Sequence, residues 1–597
     1  MAGEKGNYVA DIHNTGYKKE FLDKPITHET MIYDWKREKE LLDGDWNYAV
    51  DQYDSFLRAR WFEKTEENEE GLKYPLDFDY ENWDSIRVPS TWNTQIPELT
   101  WYEGPVLYTR TFPYEPEEDG ERVFIKVGAA NYKAFVFLNG LFLGSHVGGS
   151  TPFYVEVTGK LEKDNRITIS VDNTRDRSGI PMDNTDWFNY GGIYRSVELI
   201  RVPRHFIKDL FVSLVPDGTF SNIRIETTVD GPDCSGHVRV EIPDLDIEED
   251  IPLNDGSGAV TLRAKPDLWS PENPVLYPVA AVYKDDEVYD EIGFREIKTQ
   301  GTEVLLNGEP LFFRGISLHE DSFENGKAVS PNEFLDTLKT AMDLGCNYIR
   351  LAHYPHNSEF ARLADMGGIM LWEEIPVYWA VQFADEDTYR NAANQISELV
   401  LKNRNRAGTV IWSVGNENAD TDERLEFMSS LAARVRDLDD TRLVSAACLV
   451  NHRELKIDDR LAGHLDIIGI NEYYGWYYPD FEELPKILEN SNPDKPVFIT
   501  EFGAGALAGR HGTKTELFTE EHQAEVYRRQ IETLDSIEYI AGMSPWILYD
   551  FRCPRRTNKY QKYFNRKGLV AEDRKTRKAA FYELQDYYES FMDDEDE

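Results

Sequence analysis

Through the first half of the chain, apolar and polar residues alternate in short runs. After that, each apolar run is followed by a stretch of helical period. Arg122-Val123-Phe124-Ile125-Lys126-Val127 and Arg166-Ile167-Thr168-Ile169-Ser170-Val171 alternate with period two and are broken by Gly, Asn and Asp, as half-buried strands are. Between them, apolar runs flank Asn139-Gly140, a dipeptide that accepts the positive φ of a two-residue hairpin turn. Residues 1–203, all-β from about 30, are therefore expected to form a jelly-roll β-sandwich. Alternation resumes at 210–215, 221–229 and 237–242, and 204–298 has the length of an immunoglobulin-like β-sandwich. From 299 to 597 the pattern predicts strands at 311–317, 348–353, 369–375, 410–416, 443–449, 466–471, 497–501 and 543–549. Helical periods fall between them, as at 332–344, 385–401 and 519–534. Eight such units make a C-terminal (β/α)8 TIM barrel.

In a barrel of this kind, side chains at the C-terminal ends of strands face a common rim. Val410-Ile411-Trp412-Ser413-Val414-Gly415-Asn416-Glu417 and Pro496-Val497-Phe498-Ile499-Thr500-Glu501 both close on a carboxylate, after strands four and seven. Two carboxylates facing each other can break a glycosidic bond, one protonating the leaving oxygen while the other attacks or assists at the anomeric carbon. His319, Arg350, His353, Glu373, Tyr473 and Trp546 fall at the same rim positions. Either Glu alone has an ordinary alternative as a salt-bridged or exposed strand end. The segment between Pro376 and Asn403 is short and mostly helical, so the cleft is expected to be open there.

Composition narrows the class. Lys and Arg number 65 against 109 Asp and Glu, a net charge of −44, so no basic stripe exists to neutralise phosphates. Nucleic acid and anionic membranes are excluded as partners. The acidic surplus is spread along the chain, although 592–597 is a local acidic end, and it is expected of a protein working in high salt. An ordinary acidic protein is the alternative. The 33 Tyr and 13 Trp suit sugar clefts, where aromatic faces stack on rings. Cys234, Cys346, Cys448 and Cys553 lack metal-ligand spacing and read as free thiols of a reducing compartment. No run reaches the length of a membrane span, and 1–20 is polar without an apolar signal core, so a cytoplasmic location is expected. No metal and no cofactor are implied.

With these residues in view, the chain resembles the family two glycoside hydrolases, and among them the β-glucuronidases, over about residues 30 to 590. The motifs are Trp187-Phe188-Asn189-Tyr190-Gly191-Gly192-Ile193-Tyr194-Arg195, Leu305-Leu306-Asn307-Gly308-Glu309-Pro310, Trp412 through Glu417, Asn471-Glu472-Tyr473-Tyr474-Gly475-Trp476-Tyr477, and Ile499-Thr500-Glu501-Phe502-Gly503. The resemblance implies Glu417 as proton donor and Glu501 as nucleophile of a retaining mechanism, with carboxyl groups about 5–5.5 Å apart. It implies that Asn416 binds the 2-hydroxyl, Tyr473 holds the nucleophile, and Trp546 walls the ring. Asp186, His319, His353 and Tyr477 complete the expected substrate-binding set. A structural role is the alternative for Tyr473, Trp546 and both histidines.

Specificity is placed on Asn565-Arg566-Lys567-Gly568, where an Asn-x-Lys grips the carboxylate of a uronic acid in β-glucuronidases. An ammonium and an amide donor make a charge-assisted clamp that a neutral sugar leaves unpaired. Arg555, Arg556, Lys559, Lys562, Arg574, Lys575, Arg577 and Lys578 lie nearby, so an ordinary basic loop is the alternative. The run Ile547-Leu548-Tyr549-Asp550-Phe551-Arg552-Cys553-Pro554-Arg555-Arg556 departs from the better-known β-glucuronidases and keeps a β-galactosidase open. A non-catalytic sugar-binding protein and a transglycosylase are further alternatives. The carbohydrate substrate is the expected partner, and a homo-oligomer is expected.

Overall fold

The computed structural model describes residues 16–63, 80–117 and 120–593. Most of the polar N-terminal stretch and of the acidic end, at 1–15 and 594–597, lies outside the described residues.

One compact unit contains residues up to Met31, Glu38–Thr174 and Tyr190–Arg201. Its strands form a four-stranded and a six-stranded sheet that share one apolar core. Trp46, Phe112, Ile125, Val136 and Ile169 are buried there on inward strand faces, and Trp92 joins them from a short helix. Asn139 and Gly140, at φ 51° and 83°, turn Lys133–Leu138 into Leu141–Val147 as a tight hairpin.

The second unit contains Ile32–Arg37, Arg175–Asn189 and the chain from Val202 onward. It begins with a sandwich of a three-stranded and a four-stranded antiparallel sheet around a shared apolar core, including Ile225, Val240 and Val279. In Asn222–Asp230 burial alternates residue by residue, one face in and one face out.

The rest is a closed eight-stranded parallel barrel: Phe313–Leu318, Tyr348–Leu351, Met370–Glu374, Thr409–Asn416, Leu443–Leu449, Ile468–Asn471, Val497–Glu501 and Ile540–Met543. Nearly every residue in these strands is buried, as expected where helices cover the outside. Helices Pro331–Asp343, Glu386–Asn403 and Glu520–Leu534 start at side-chain caps on Ser330, Asp385 and Thr519. The barrel floor is aromatic: Phe313, Trp372 and Phe498 pack together, and Phe498 lies 5.0 Å from Phe313, ring to ring. Gly542 makes room for them, because a Cβ there would sit 2.5 Å from that of Phe313.

Strand eight departs from the expected 543–549. It ends at Met543, and Trp546-Ile547-Leu548-Tyr549 is a buried rim segment. The carbonyls of Ile547 and Leu548 accept from the amides of Leu569 and Val570 at 2.9 Å each. The run is apolar because it lies under another segment, which the strand pattern cannot distinguish from barrel burial. That pairing also draws Asn565 and Lys567 to the rim. Gly568 allows the approach, since a Cβ there would come within 2.2 Å of the Asp550 amide.

Segment 376–403 is mostly the helix Glu386–Asn403. A different stretch packs on it: Gln395 donates to the Ile180 carbonyl at 2.8 Å, and Thr388 to that of Ser178 at 2.8 Å. This anchors Arg175–Asn189 and brings Asp186 and Trp187 to the barrel rim. No described helix is long and apolar enough to cross a membrane.

Candidate active site

Arg350, at the end of strand two and wholly buried, organises the rim. Its guanidinium donates to Glu501 Oε1 at 2.8 Å, Glu374 Oε1 at 3.0 Å and Asn416 Oδ1 at 2.7 Å. Burial pulls its pKa down, but Glu374 and Glu501 outweigh that and raise it above the ordinary arginine value. Glu374 is pushed up by burial, yet Arg350 and His353 hold it at about 2. His353 Nδ1 lies 3.0 Å from Glu374 Oε1, and its Nε2 lies 3.8 Å from Glu501 Oε1. Tyr473 donates to the other Glu501 oxygen at 2.7 Å. Both oxygens of Glu501 are thus fixed by hydrogen-bond donors.

Glu417 follows strand four with φ 51°, a left-handed conformation that is costly for a residue with a side chain and is held by the surrounding structure. Trp379 Nε1 donates to its Oε2 at 2.7 Å, and Asn471 Nδ2 to its Oε1 at 3.1 Å. Thr500 donates to Asn471 Oδ1 at 2.7 Å, which sets that amide's orientation. Burial, and then the charge of Glu501, raise the Glu417 carboxyl above the usual range. A carboxyl group raised in this way, beside a second one, is suited to acid–base chemistry. Asn416 accepts through Oδ1, while its buried Nδ2 has no partner among the described residues and remains available to a ligand hydroxyl.

An aromatic wall closes one side. Trp546 stacks on His353 at 4.9 Å and meets His319 edge-on at 5.2 Å, and Trp187 lies 4.9 Å from Tyr378. His319 binds Tyr354 Oη through Nδ1, at 3.1 Å, and its Nε2 has no partner among the described residues. Burial, with cationic neighbours, lowers its pKa well below the usual histidine value, so the ring is neutral.

The remaining expected residues form a cationic corner. Lys567 is only 3% exposed, and its ammonium donates to Tyr477 Oη at 2.8 Å. It also lies over the rings of Tyr473 and Tyr477, at 5.1 and 4.7 Å. No described carboxylate comes within ion-pair distance of it. Arg556 donates to the same Tyr477 oxygen at 3.2 Å and forms a two-point ion pair with Asp186, with Nε 3.1 Å from Oδ1. Burial would raise the Tyr477 hydroxyl, but Lys567 and Arg556 bring it below the usual phenol value. Asn565 donates to Asp186 Oδ2 at 3.3 Å. Of the surrounding basic residues, Arg566 and Lys578 are bound by Asp550, and Arg577 by Asp343.

Residues 39–203 match the domain described as "Glycosyl hydrolases family 2, sugar binding domain", and residues 297–592 match "Glycosyl hydrolases family 2, TIM barrel domain". The chain belongs to glycosyl hydrolase family 2. It is therefore a glycosidase, built on the sandwich-and-barrel architecture of that family. It is 28% identical to a β-glucuronidase of Paenibacillus borealis, covering 91% of this chain and 96% of the relative. The human β-glucuronidase is 28% identical, with 92% of this chain and 91% of the relative covered. Among solved structures, a Bifidobacterium dentium β-glucuronidase complexed with coumarin-3-O-glucuronide is similar at TM-score 0.82 and 25% identity, over 93% of this chain and 97% of that one. An Eisenbergiella tayi β-galacturonidase bound to galacturonate is similar at TM-score 0.79 and 26% identity, over 93% and 97%.

Within this family 2 site, one expected rim residue is displaced. Glu373 faces outward, accepting from Asn403 at 2.8 Å and Thr409 at 2.7 Å, and burial pushes it up to about 7. Glu374 is the inward residue. Strand alternation could have found it, because Trp372 already faces the barrel interior and side chains two apart share a face. Trp379, Asn471 and Arg556 also lie outside the expected set. Asn471 ends strand six and was legible as a strand-terminal amide, whereas Trp379 and Arg556 sit on loops without a period.

Glu472, next to Tyr473, accepts from the Tyr474 amide at 3.0 Å and Gln530 at 3.1 Å, while its other oxygen has no partner among the described residues. Burial raises its pKa to about 8. The folded chain thus holds a proton that the unfolded chain releases from about pH 4.3 upward. Stability from this group is full below that pH and is lost as pH rises through about 8. Glu472→Gln should cancel the loss. Its melting temperature should gain on wild type by a few degrees more at pH 8.5 than at pH 5.5, as measured by calorimetry, since about 1 kcal/mol shifts a large domain by roughly 2–4 °C.

Proposed function

We propose that this enzyme hydrolyses terminal β-D-glucuronides with retention, Glu417 acting as acid and base and Glu501 as nucleophile. The observation that carries the substrate class is Lys567, a buried ammonium whose hydrogen-bond acceptor is a phenol and which has no carboxylate partner among the described residues. Burying an unpaired cation is costly, and a uronate carboxylate is the group that repays it. Arg556 faces the same point from the Asp186 side, so two cations converge there. The similarity to proteins that act on glucuronides supports the same reading.

Glu417 donates its proton to the glycosidic oxygen as the Glu501 carboxylate bonds to the anomeric carbon, and the aglycone leaves as an alcohol. Asn416 Nδ2 donates to the sugar 2-hydroxyl, a bond that strengthens as positive charge develops. Once Glu501 is an ester its charge is gone, and one cause of the raised Glu417 pKa goes with it. Glu417 is then more readily ionised, and as a carboxylate it takes a proton from water while the water oxygen attacks the anomeric carbon and Glu501 is released as carboxylate. Activity should fall on the alkaline side as Glu417 ionises.

A β-D-galacturonide is the second reading, favoured by the likeness to the galacturonate-bound structure. A chromogenic panel of β-D-glucuronide, galacturonide, galactoside, glucoside and mannoside tests both. Preference for either uronide supports the carboxylate clamp, and preference for galactoside overturns it.

Salt dependence is expected from the net charge of −44. Activity and melting temperature should both rise between low and about molar salt, where the Debye length shrinks to roughly 3 Å. A flat or falling melting temperature in the same series counts against salt adaptation.

A further inference from the structure

We propose that Trp379 is the positioning residue of Glu417: its indole N–H holds one carboxyl oxygen in place and favours the ionised form, and so sets the pH at which Glu417 stops donating a proton and begins to accept one. The inference rests on the assignment of Glu417 as acid and base, and it adds a residue from a loop that no strand pattern marks.

Trp379 is held from every side. Its backbone N–H donates to the Asn416 carbonyl at 3.0 Å, and its carbonyl accepts from Asn418 Nδ2 at 2.8 Å, so the residues flanking Glu417 clamp it from both ends. It adopts φ 56°, a left-handed conformation that persists only where the surroundings over-determine it. Tyr378 stacks on the indole at 4.4 Å, and the Arg555 guanidinium lies 5.1 Å from the ring. A donor fixed this firmly loses little entropy when it binds the carboxyl, and it keeps the carboxyl rotamer through both halves of the reaction.

An N–H donor strengthens its bond when the acceptor becomes anionic. The indole therefore opposes burial and Glu501, the two influences that keep Glu417 protonated. The other groups facing Glu417 are His353, whose charge favours ionisation, and the hydroxyls of Tyr378, Tyr473 and Tyr478, for each of which the Glu417 charge disfavours ionisation. Asn471, on the second oxygen, is neutral and pinned by Thr500. Among these, Trp379 is the donor with the shortest contact to the carboxyl, at 2.7 Å.

The test is Trp379→Phe, which keeps a ring and removes the N–H, with Trp379→Leu as a second variant lacking the same donor in a different shape. The pH profile of kcat/KM is recorded for wild type and both variants on whichever β-glycoside the wild type cleaves best, alongside melting temperatures. Both variants should move the alkaline limb upward by about half to one pH unit, since one unit corresponds to about a tenfold bias between protonation states. Turnover of an alkyl glycoside should drop about tenfold, more than that of a nitrophenyl glycoside, because only the poor leaving group needs a well-placed acid. If rates fall while the alkaline limb stays within about 0.2 unit of wild type, Trp379 is only packing and the proposal is overturned. A wild type that cleaves galactoside but no uronide defeats the substrate reading and leaves this test intact.

Discussion

Glu501→Gln abolishes turnover, by about four or more powers of ten, while the protein keeps its fold. The variant preserves shape and removes only the nucleophilic charge. Arg350 would not be stranded, because Glu374 at 3.0 Å and Asn416 at 2.7 Å remain as acceptors. Tyr473 can still donate to the amide oxygen. The melting temperature should therefore change little compared with the loss of rate, and a calorimetric scan beside the activity assay separates the two. Glu417→Gln should differ in kind. It should lose about two to four powers of ten on an alkyl glycoside but retain the first step on substrates with good leaving groups, where protonation is dispensable. If both variants keep near-normal rates on an unactivated substrate, the catalytic pair lies elsewhere.

The parts of this site that are legible in the sequence are those carried by strands. Glu417 and Glu501 close apolar runs because a barrel strand must be buried along its whole length and can become polar only at the rim. Parity fixes direction within such a run, and attention to Glu373 instead of Glu374 cost one inward carboxylate. The apolar stretch at 546–549 misled in a different way: it is buried beneath the 567–570 segment, and burial of either origin leaves the same pattern. Loop residues are the ones the pattern cannot place. Trp379 and Arg556 gain their positions from left-handed backbone, stacking and a distant carboxylate, none of which has a period. Asp186 was visible only by its place just before the Trp187–Arg195 motif. Its position depends on Ser178 and Ile180 docking on the helix Glu386–Asn403, a tertiary contact with no local signal.

Lys567→Ala should cut kcat/KM for the glucuronide by about one to two powers of ten and leave a galactoside little changed or improved. A charge-assisted hydrogen bond is worth about 1.5–3 kcal/mol, and each 1.36 kcal/mol is tenfold in rate. For a neutral sugar the balance reverses, because the wild type would face it with a desolvated ammonium. The geometry sharpens the expectation. The ammonium lies 5.1 Å from the centre of the Tyr473 ring, and the hydroxyl of that ring donates to Glu501 at 2.7 Å, so one tyrosine meets both the cation and Glu501. Removing Lys567 leaves no buried partner unpaired, since its one acceptor, the Tyr477 hydroxyl, keeps Arg556 at 3.2 Å. Arg556 would also retain part of the attraction for the carboxylate, which is why the loss should stop near two powers of ten. The loss should appear mainly in KM if the clamp binds substrate and transition state alike, and in kcat if it tightens during reaction. Equal losses on glucuronide and galactoside would show that Lys567 supports the pocket without reading the carboxylate, and the uronide assignment would then fall.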